Sequence, residues 1–298
     1  MKRIIFAVCT ILAVGCSNNE TLEIQDNREI KVVANLNSRA TMTAFEQGDQ
    51  MSLFAVEYEG EEVPPMQVAG NYINNETMMY DGSKWISNRT LYWSESACDF
   101  YGIYPYQDVQ SVDNVLFEVK TDQSVPESAE TLGAYEASDL MWAKAEKVSR
   151  TPDGSVKLQF HHMMSRLVVD VVKGPKFEGM IPDDIVAHVY NTATTAKVNW
   201  QTGALEKYAY SPKKTIKMRP QINEGEETQT FDAIIVPQFI ERSTPLIEIT
   251  MGGIAYLLNY SMSFRSGYQH TITVTLNTSP DQEKIEIQID GEVGGWQQ

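Results

Sequence analysis

Thr271-Ile272-Thr273-Val274-Thr275-Leu276 alternates polar and apolar residues without a break, and Lys284-Ile285-Glu286-Ile287-Gln288-Ile289-Asp290 repeats the pattern after a short polar stretch. Successive side chains of a strand point to opposite faces, so a period of two marks a strand with one buried side. The pattern returns at the other end of the chain, where Ile30, Val32, Ala34 and Leu36 share one face. Between them, further strands are expected at 51–59, 88–93, 99–104, 156–160, 166–172, 187–190, 215–219, 233–236 and 246–251. Asp81-Gly82, Asp153-Gly154 and Gly252-Gly253 supply turn residues that tolerate positive φ. Helical periodicity is confined to Ser138–Val148, which has good helix formers and no clear cap. Many short strands with turns at this spacing predict an all-β chain built of β-sandwiches.

Composition narrows the function. The chain has 298 residues, 42% hydrophobic and 10% aromatic, enough for one large or two ordinary domains with real cores. Its net charge of −16 excludes a nucleic-acid partner and argues against charge-driven binding to anionic membranes. Two of its three cysteines lie in the first sixteen residues, leaving Cys98 alone in the body, so no disulfide framework and no cysteine-based metal site is expected. Four scattered histidines offer no other metal route, and no cofactor is expected. His161-His162 sit next to each other on a strand, face opposite sides and cannot share an ion. There is no His-Glu-x-x-His, Gly-x-Ser-x-Gly or phosphate-binding glycine loop, and no catalytic residue is assigned. Asp183-Asp184 and Glu224–Glu227 read as solvated loops, and the aromatics of Phe100–Tyr106 as core packing on alternating faces.

The N-terminus reads as an address. Lys2 and Arg3 precede an apolar run from Ile4 to Val14, too short for the roughly 20 residues that span a bilayer but right for a secretory signal. Leu12-Ala13-Val14-Gly15-Cys16 resembles the lipobox of bacterial lipoproteins, which implies that residues 1–15 are removed and Cys16 carries the lipid. Each buried methylene then contributes about 0.8 kcal/mol to anchoring. On this reading the membrane is expected to be contacted through the anchor alone, at the outer membrane and cell surface; an ordinary signal peptide with an incidental cysteine is the competing reading.

Five segments resemble the fimbrillin family, the subunits of type V pili of Gram-negative bacteria. They are Ser38-Arg39-Ala40-Thr41 with Phe45-Glu46-Gln47-Gly48-Asp49 and Ser52-Leu53-Phe54-Ala55; Leu91-Tyr92-Trp93 with Asp99–Tyr106; Asp139–Ala145 with Leu158–Leu167; Ala233–Gln238; and Ser266-Gly267-Tyr268 with the late Gly295-Trp296. Ser52-Leu53 stands where the family has Ile-Gly or Gly-Val. The resemblance implies two transthyretin-like β-sandwich domains in tandem, 40–155 and 156–298, behind a lipid-anchored propeptide strand at 16–39. It implies a non-enzymatic structural and adhesive subunit of a cell-surface fimbria, with other copies or related pilus subunits as partners and an unidentified surface receptor.

It also implies an arginine-specific protease cutting between Arg39 and Ala40, which lie among small polar residues suited to an exposed loop. An uncut Arg39 in an anchor or tip subunit is the competing reading. The cut removes the strand of Ile30, Val32, Ala34 and Leu36; burial of Ile30, Val32 and Leu36 together is expected to contribute on the order of 5–9 kcal/mol. The opened edge is then refilled by a neighbour's strand, an open-ended contact that builds a filament. Ile285, Ile287 and Ile289 are the candidate donor, or else the last strand of their own domain. A monomeric surface lipoprotein binding glycans is the alternative function.

Overall fold

The computed structural model describes residues 28–36, 45–128, 131–221, 228–277 and the backbone of 287–295. Its strands are β1 (Lys31–Leu36), β2 (Gln50–Glu57), β3 (Ile73–Tyr80), β4 (Trp85–Ser87), β5 (Cys98–Tyr104), β6 (Val115–Glu118) and β7 (Met141–Val148). There follow β8 (Ser155–His162), β9 (Ser165–Lys173), β10 (Val186–Ala193), β11 (Thr195–Asn199), β12 (Ala204–Lys207), β13 (Lys213–Lys217) and β14 (Arg219–Pro220). The last are β15 (Thr228–Ile235), β16 (Gln238–Ile240), β17 (Pro245–Met251), β18 (Ile254–Asn259), β19 (Met262–Phe264), β20 (Tyr268–Leu276) and β21 (Ile287–Gly295). Among the described residues the only helical element is a 3₁₀ turn at Glu136–Ser138. The chain is all-β, as its alternation requires.

Seven strands form one sheet in the order β1-β8-β7-β5-β2-β3-β4, and five form another in the order β14-β15-β9-β20-β21. Smaller sheets are β13-β10-β17-β18, β12-β11-β6 and β16-β19. The central strands of the large sheet are buried on both faces. Leu53, Phe100, Tyr104, Leu158 and Phe160 enter one cluster with Ile30 and Val32. Phe54, Val56, Tyr101 and Ile103 enter the other, with Val169, Phe231, Ile272 and Trp200. The residues of Phe100–Tyr104 thus divide between two cores by parity. Gly102 is small because Phe160 presses on it: a Cβ there would lie 2.6 Å from the Phe160 ring and 3.0 Å from Leu158 Cδ1. At Gly252-Gly253 both residues have positive φ, 56° and 74°, closing the β17–β18 hairpin as the sequence anticipates.

Two expectations fail. Ser138–Val148 is not a helix; Met141–Val148 is β7, paired with β5 and β8. Its Ala, Lys and Glu favour a helix only weakly, and pairing against a buried neighbour overrides that preference. Asn88–Trp93 is not a strand: only an isolated bridge joins Tyr92 to Glu29. The seam expected near residue 155 coincides with the start of β8, which is hydrogen-bonded into the seven-stranded sheet. β6, from the first half of the chain, pairs with β11 from the second.

Candidate functional site

β1 forms the outer edge of the seven-stranded sheet and pairs in parallel with β8, from Lys31 opposite Ser155 to Leu36 opposite Phe160. The approach to β1 is fixed by three backbone bonds: Ile30 N–H to the Leu91 carbonyl, Lys31 N–H to Gly154, and Trp93 N–H to Arg28, each 2.8 Å. Alternation holds along it. Ile30 and Val32 are buried at 6% and 4% exposure, Ala34 and Leu36 are half-buried, and Lys31, Val33 and Asn35 face solvent. Burying a side chain of this size contributes about 1.5–3 kcal/mol, so Ile30 and Val32 supply about 3–6 kcal/mol and the half-buried Leu36 less than its sequence share. Without β1, the apolar face of Val156, Leu158 and Phe160 and one row of β8 backbone groups would lose their cover. Cys16, Arg39 and Ala40 lie outside the described residues.

β21 is the outer strand of the five-stranded sheet. It runs antiparallel to β20, with Ile287 opposite Leu276 and Ile289 opposite Val274. Ile285 lies outside the described residues. β1 and β21 therefore border different sheets, and each is an outermost strand.

Beside the end of β1, Leu36 and Phe45 form part of the wall of a cleft of about 1200 Å³. Several of its polar groups are engaged in pairs. The Tyr104 hydroxyl donates to Asp49 Oδ1 at 2.8 Å while the Glu46 N–H donates to Oδ2 at 2.8 Å. Burial raises the Asp49 carboxyl above the usual carboxylate range, against the pull of these two donors. Burial, then the neighbouring Asp49 charge, pushes the Tyr104 phenol up. His162 Nδ1 lies 2.9 Å from Asp139 Oδ2, with His162 buried and its neighbour His161 half-buried, so the adjacent imidazoles do part to different surroundings.

The Arg219 guanidinium lies 3.5 Å over the Tyr135 ring. It donates to Glu136 at 2.5 Å and to both oxygens of Asp232 at 3.0 and 3.1 Å. Arg166 donates to the same Asp232 at 2.9 Å. Burial works against the Arg219 charge, but Asp232 outweighs it and the group is held more firmly protonated. The sequence reading did not gather these residues into one site: Phe45, Glu46, Asp49, Tyr104, Asp139, His162 and Arg166 fell inside separate segments of the family resemblance, and Tyr135, Glu136, Arg219 and Asp232 in none. Their partners are distant in sequence, and a single chain carries no signal for such pairings. Chemically the cleft offers aromatic walls and, at Asp49, Glu136 and Asp139, carboxylates already engaged by partners.

The sequence pattern of the fimbrillin-like family matches residues 38–296. A Bacteroides ovatus protein named as a fimbrium tip subunit, Fim1C, is 30% identical over 183 residues, covering 52% of this chain. The chain spans about a third of that relative's length, 32%. The fold is similar to crystal structures of two proteins described as cell adhesion proteins. One is from Bacteroides ovatus (TM-score 0.65, 16% identity, 90% of this chain and 97% of that one), the other from Bacteroides uniformis (0.61, 18%, 91% and 99%). A fimbrial protein from Bacteroides ovatus is similar with a TM-score of 0.52 at 18% identity, over 86% of this chain and 51% of that one.

Proposed function

This chain belongs to the fimbrillin-like family, and from that premise we propose that it is a structural, adhesive and non-enzymatic subunit of a cell-surface fimbria. It is built of two transthyretin-like sandwiches in tandem. It is exported as a lipoprotein held at the outer membrane through Cys16. A protease cut after Arg39 releases it, and it assembles with like or related subunits by strand exchange.

The observation that carries this reading is the place of β1. It is an outermost strand, so its removal opens one side of β8 and leaves every other strand pair intact. Arg39 follows Leu36 by three residues in the chain, so a cut there severs β1 from all that comes after. The proposed donor holds Ile285, Ile287 and Ile289, whose two-residue spacing matches Ile30, Val32 and Ala34. Donation must also offset the pairing of β21 with β20 that it gives up.

The test is polymer formation by the chain after treatment with an arginine-specific protease, followed by electron microscopy and N-terminal sequencing. Wild-type chain is expected to begin at Ala40 and form fibres; Arg39→Ala is expected to stay uncut and form no fibres, and Ile287→Asp to be cut without forming them. Equal polymerisation of Arg39→Ala would remove the release step, and normal fibres from Ile287→Asp would remove the donor. The cleft favours a second reading, a monomeric glycan-binding lipoprotein, because Phe45 and Tyr106 line it beside Asp49 and Asp139. Glycan-array binding by uncut monomer, without fibres, would favour that reading.

A further inference from the structure

β18 is an outermost strand whose free side is unguarded. Among the described sheets, the other outer strands carry a device against further pairing. β13 holds Lys213, Lys214 and Lys217, β14 is two residues long with Pro220, β4, β16 and β19 are three residues each, and β1, β6, β12 and β21 contain charged residues. Short length, lysine and proline are the usual means of blunting an edge. β18 reads Ile254-Ala255-Tyr256-Leu257-Leu258-Asn259, six residues with no charge and no proline. The uncharged run extends from Ile249 to Phe264, in a chain of net charge −16. Ile254 and Leu257 are 48% and 54% exposed.

We propose that β18 pairs antiparallel with β18 of a second copy about a two-fold axis through Tyr256. Like charge repels two such chains over most of their surface, and this uncharged run is where they approach without that cost. The side chains are self-complementary. On β17, Ile247, Ile249 and Met251 face the core and stand opposite Leu258, Tyr256 and Ile254, so these three share the core side of β18. A two-fold axis through Tyr256 sets Tyr256 against its copy, Ile254 against Leu258 and Ala255 against Leu257, so every facing pair is apolar and no side chain changes face. An axis one residue further on would set Ala255 against Asn259. A single pair of six-residue strands is smaller than a standard interface, so the association is weak and concentration-dependent. Neither β1 nor β21 takes part, so the contact forms in uncut chain and stands or falls apart from the strand-exchange reading.

The experiment uses the mature, uncut chain with Cys16 replaced by serine. Sedimentation equilibrium is expected to show a monomer–dimer equilibrium, and Leu257→Lys to weaken it at least about tenfold while the chain stays folded by circular dichroism. Tyr256→Cys is expected to give a covalent dimer on oxidation, because facing Cβ atoms lie about 4.5–5.5 Å apart. The buried Cys98 thiol, with its pKa pushed up to about 12 by burial, does not compete. Leu116→Cys, 53% exposed on β6, serves as the control that gives no covalent dimer on oxidation. A chain that sediments as monomer at every concentration overturns the proposal, as does a dimer that Leu257→Lys leaves intact. Absence of cross-linking by Tyr256→Cys overturns the two-fold register.

Discussion

His270 lies on β20 between Leu167 of β9 and Val293 of β21. Its Nε2 accepts the Arg265 N–H at 3.2 Å, the Phe264 ring stands edge-on at 5.4 Å, and Nδ1 has no hydrogen-bond partner among the described residues. That places the proton of the neutral ring on Nδ1. Burial first, then the Arg265 charge, lowers its pKa to about 4. The unfolded ring titrates near 6.5, so between about 6.5 and 4 the unfolded chain binds more protons than the folded one. Stability from this group is therefore intact above pH 6.5 and lost as the pH falls toward 4, by about 1–3 kcal/mol. Asp49 acts in the opposite sense, since its raised carboxyl favours folding in the protonated form. Urea unfolding as a function of pH is expected to show the acid loss in wild-type chain and a shallower slope in His270→Gln. An unchanged slope in that variant would exclude His270 as its source.

At the level of elements, β1 joins the sequence to the proposed assembly. Val32→Asp places a carboxylate where only 4% of the residue meets solvent, beside Val156 on β8. Burying that charge costs more than β1 gains from pairing, so the strand is expected to leave the edge rather than the whole sheet to unfold. Hydrogen exchange is the readout: the amides of β1 and the β8 groups facing it lose protection, while β5 and β2 keep theirs. Loss of protection throughout the sheet would mean that β1 is integral to the fold and not a removable border. The strands most legible in the sequence were of this kind. β1, β8, β17 and β20 alternate because one face is the more exposed. β6, β11 and β12, five residues or fewer, carry too little pattern to stand out, and β7 was hidden by residues with helical preference. The pairing order was not legible at all. The parallel contact of β1 with β8 joins residues more than a hundred positions apart, and only the folded chain reveals it.

The whole molecule is held by contacts that cross between the two halves of the chain. Phe54 packs against Trp200 with ring centres 5.9 Å apart, and the Trp142 indole donates to the Trp200 carbonyl at 2.7 Å. Buried Gln123 spans two backbone groups of Ile234, donating to its carbonyl at 2.8 Å and accepting from its N–H at 2.7 Å. One apolar cluster runs from Phe54 on β2 to Leu276 on β20. Elements that share a core lose their stability together, so calorimetry of the uncut chain is expected to give one transition whose calorimetric and van't Hoff enthalpies agree. Gln123→Ala leaves both Ile234 groups buried without their partner, at about 1–3 kcal/mol each. For a chain of this size each kcal/mol lowers Tm by about 2–4 °C, so the single transition is expected to move down intact by several degrees. Two resolved transitions, with only one displaced by Gln123→Ala, would show instead that the halves fold as separate bodies joined by a minor contact. A subunit that opens at β1 while the rest holds needs the first outcome. In the proposed assembly the shared core would then keep the acceptor edge in shape during the interval between losing its own strand and gaining a neighbour's.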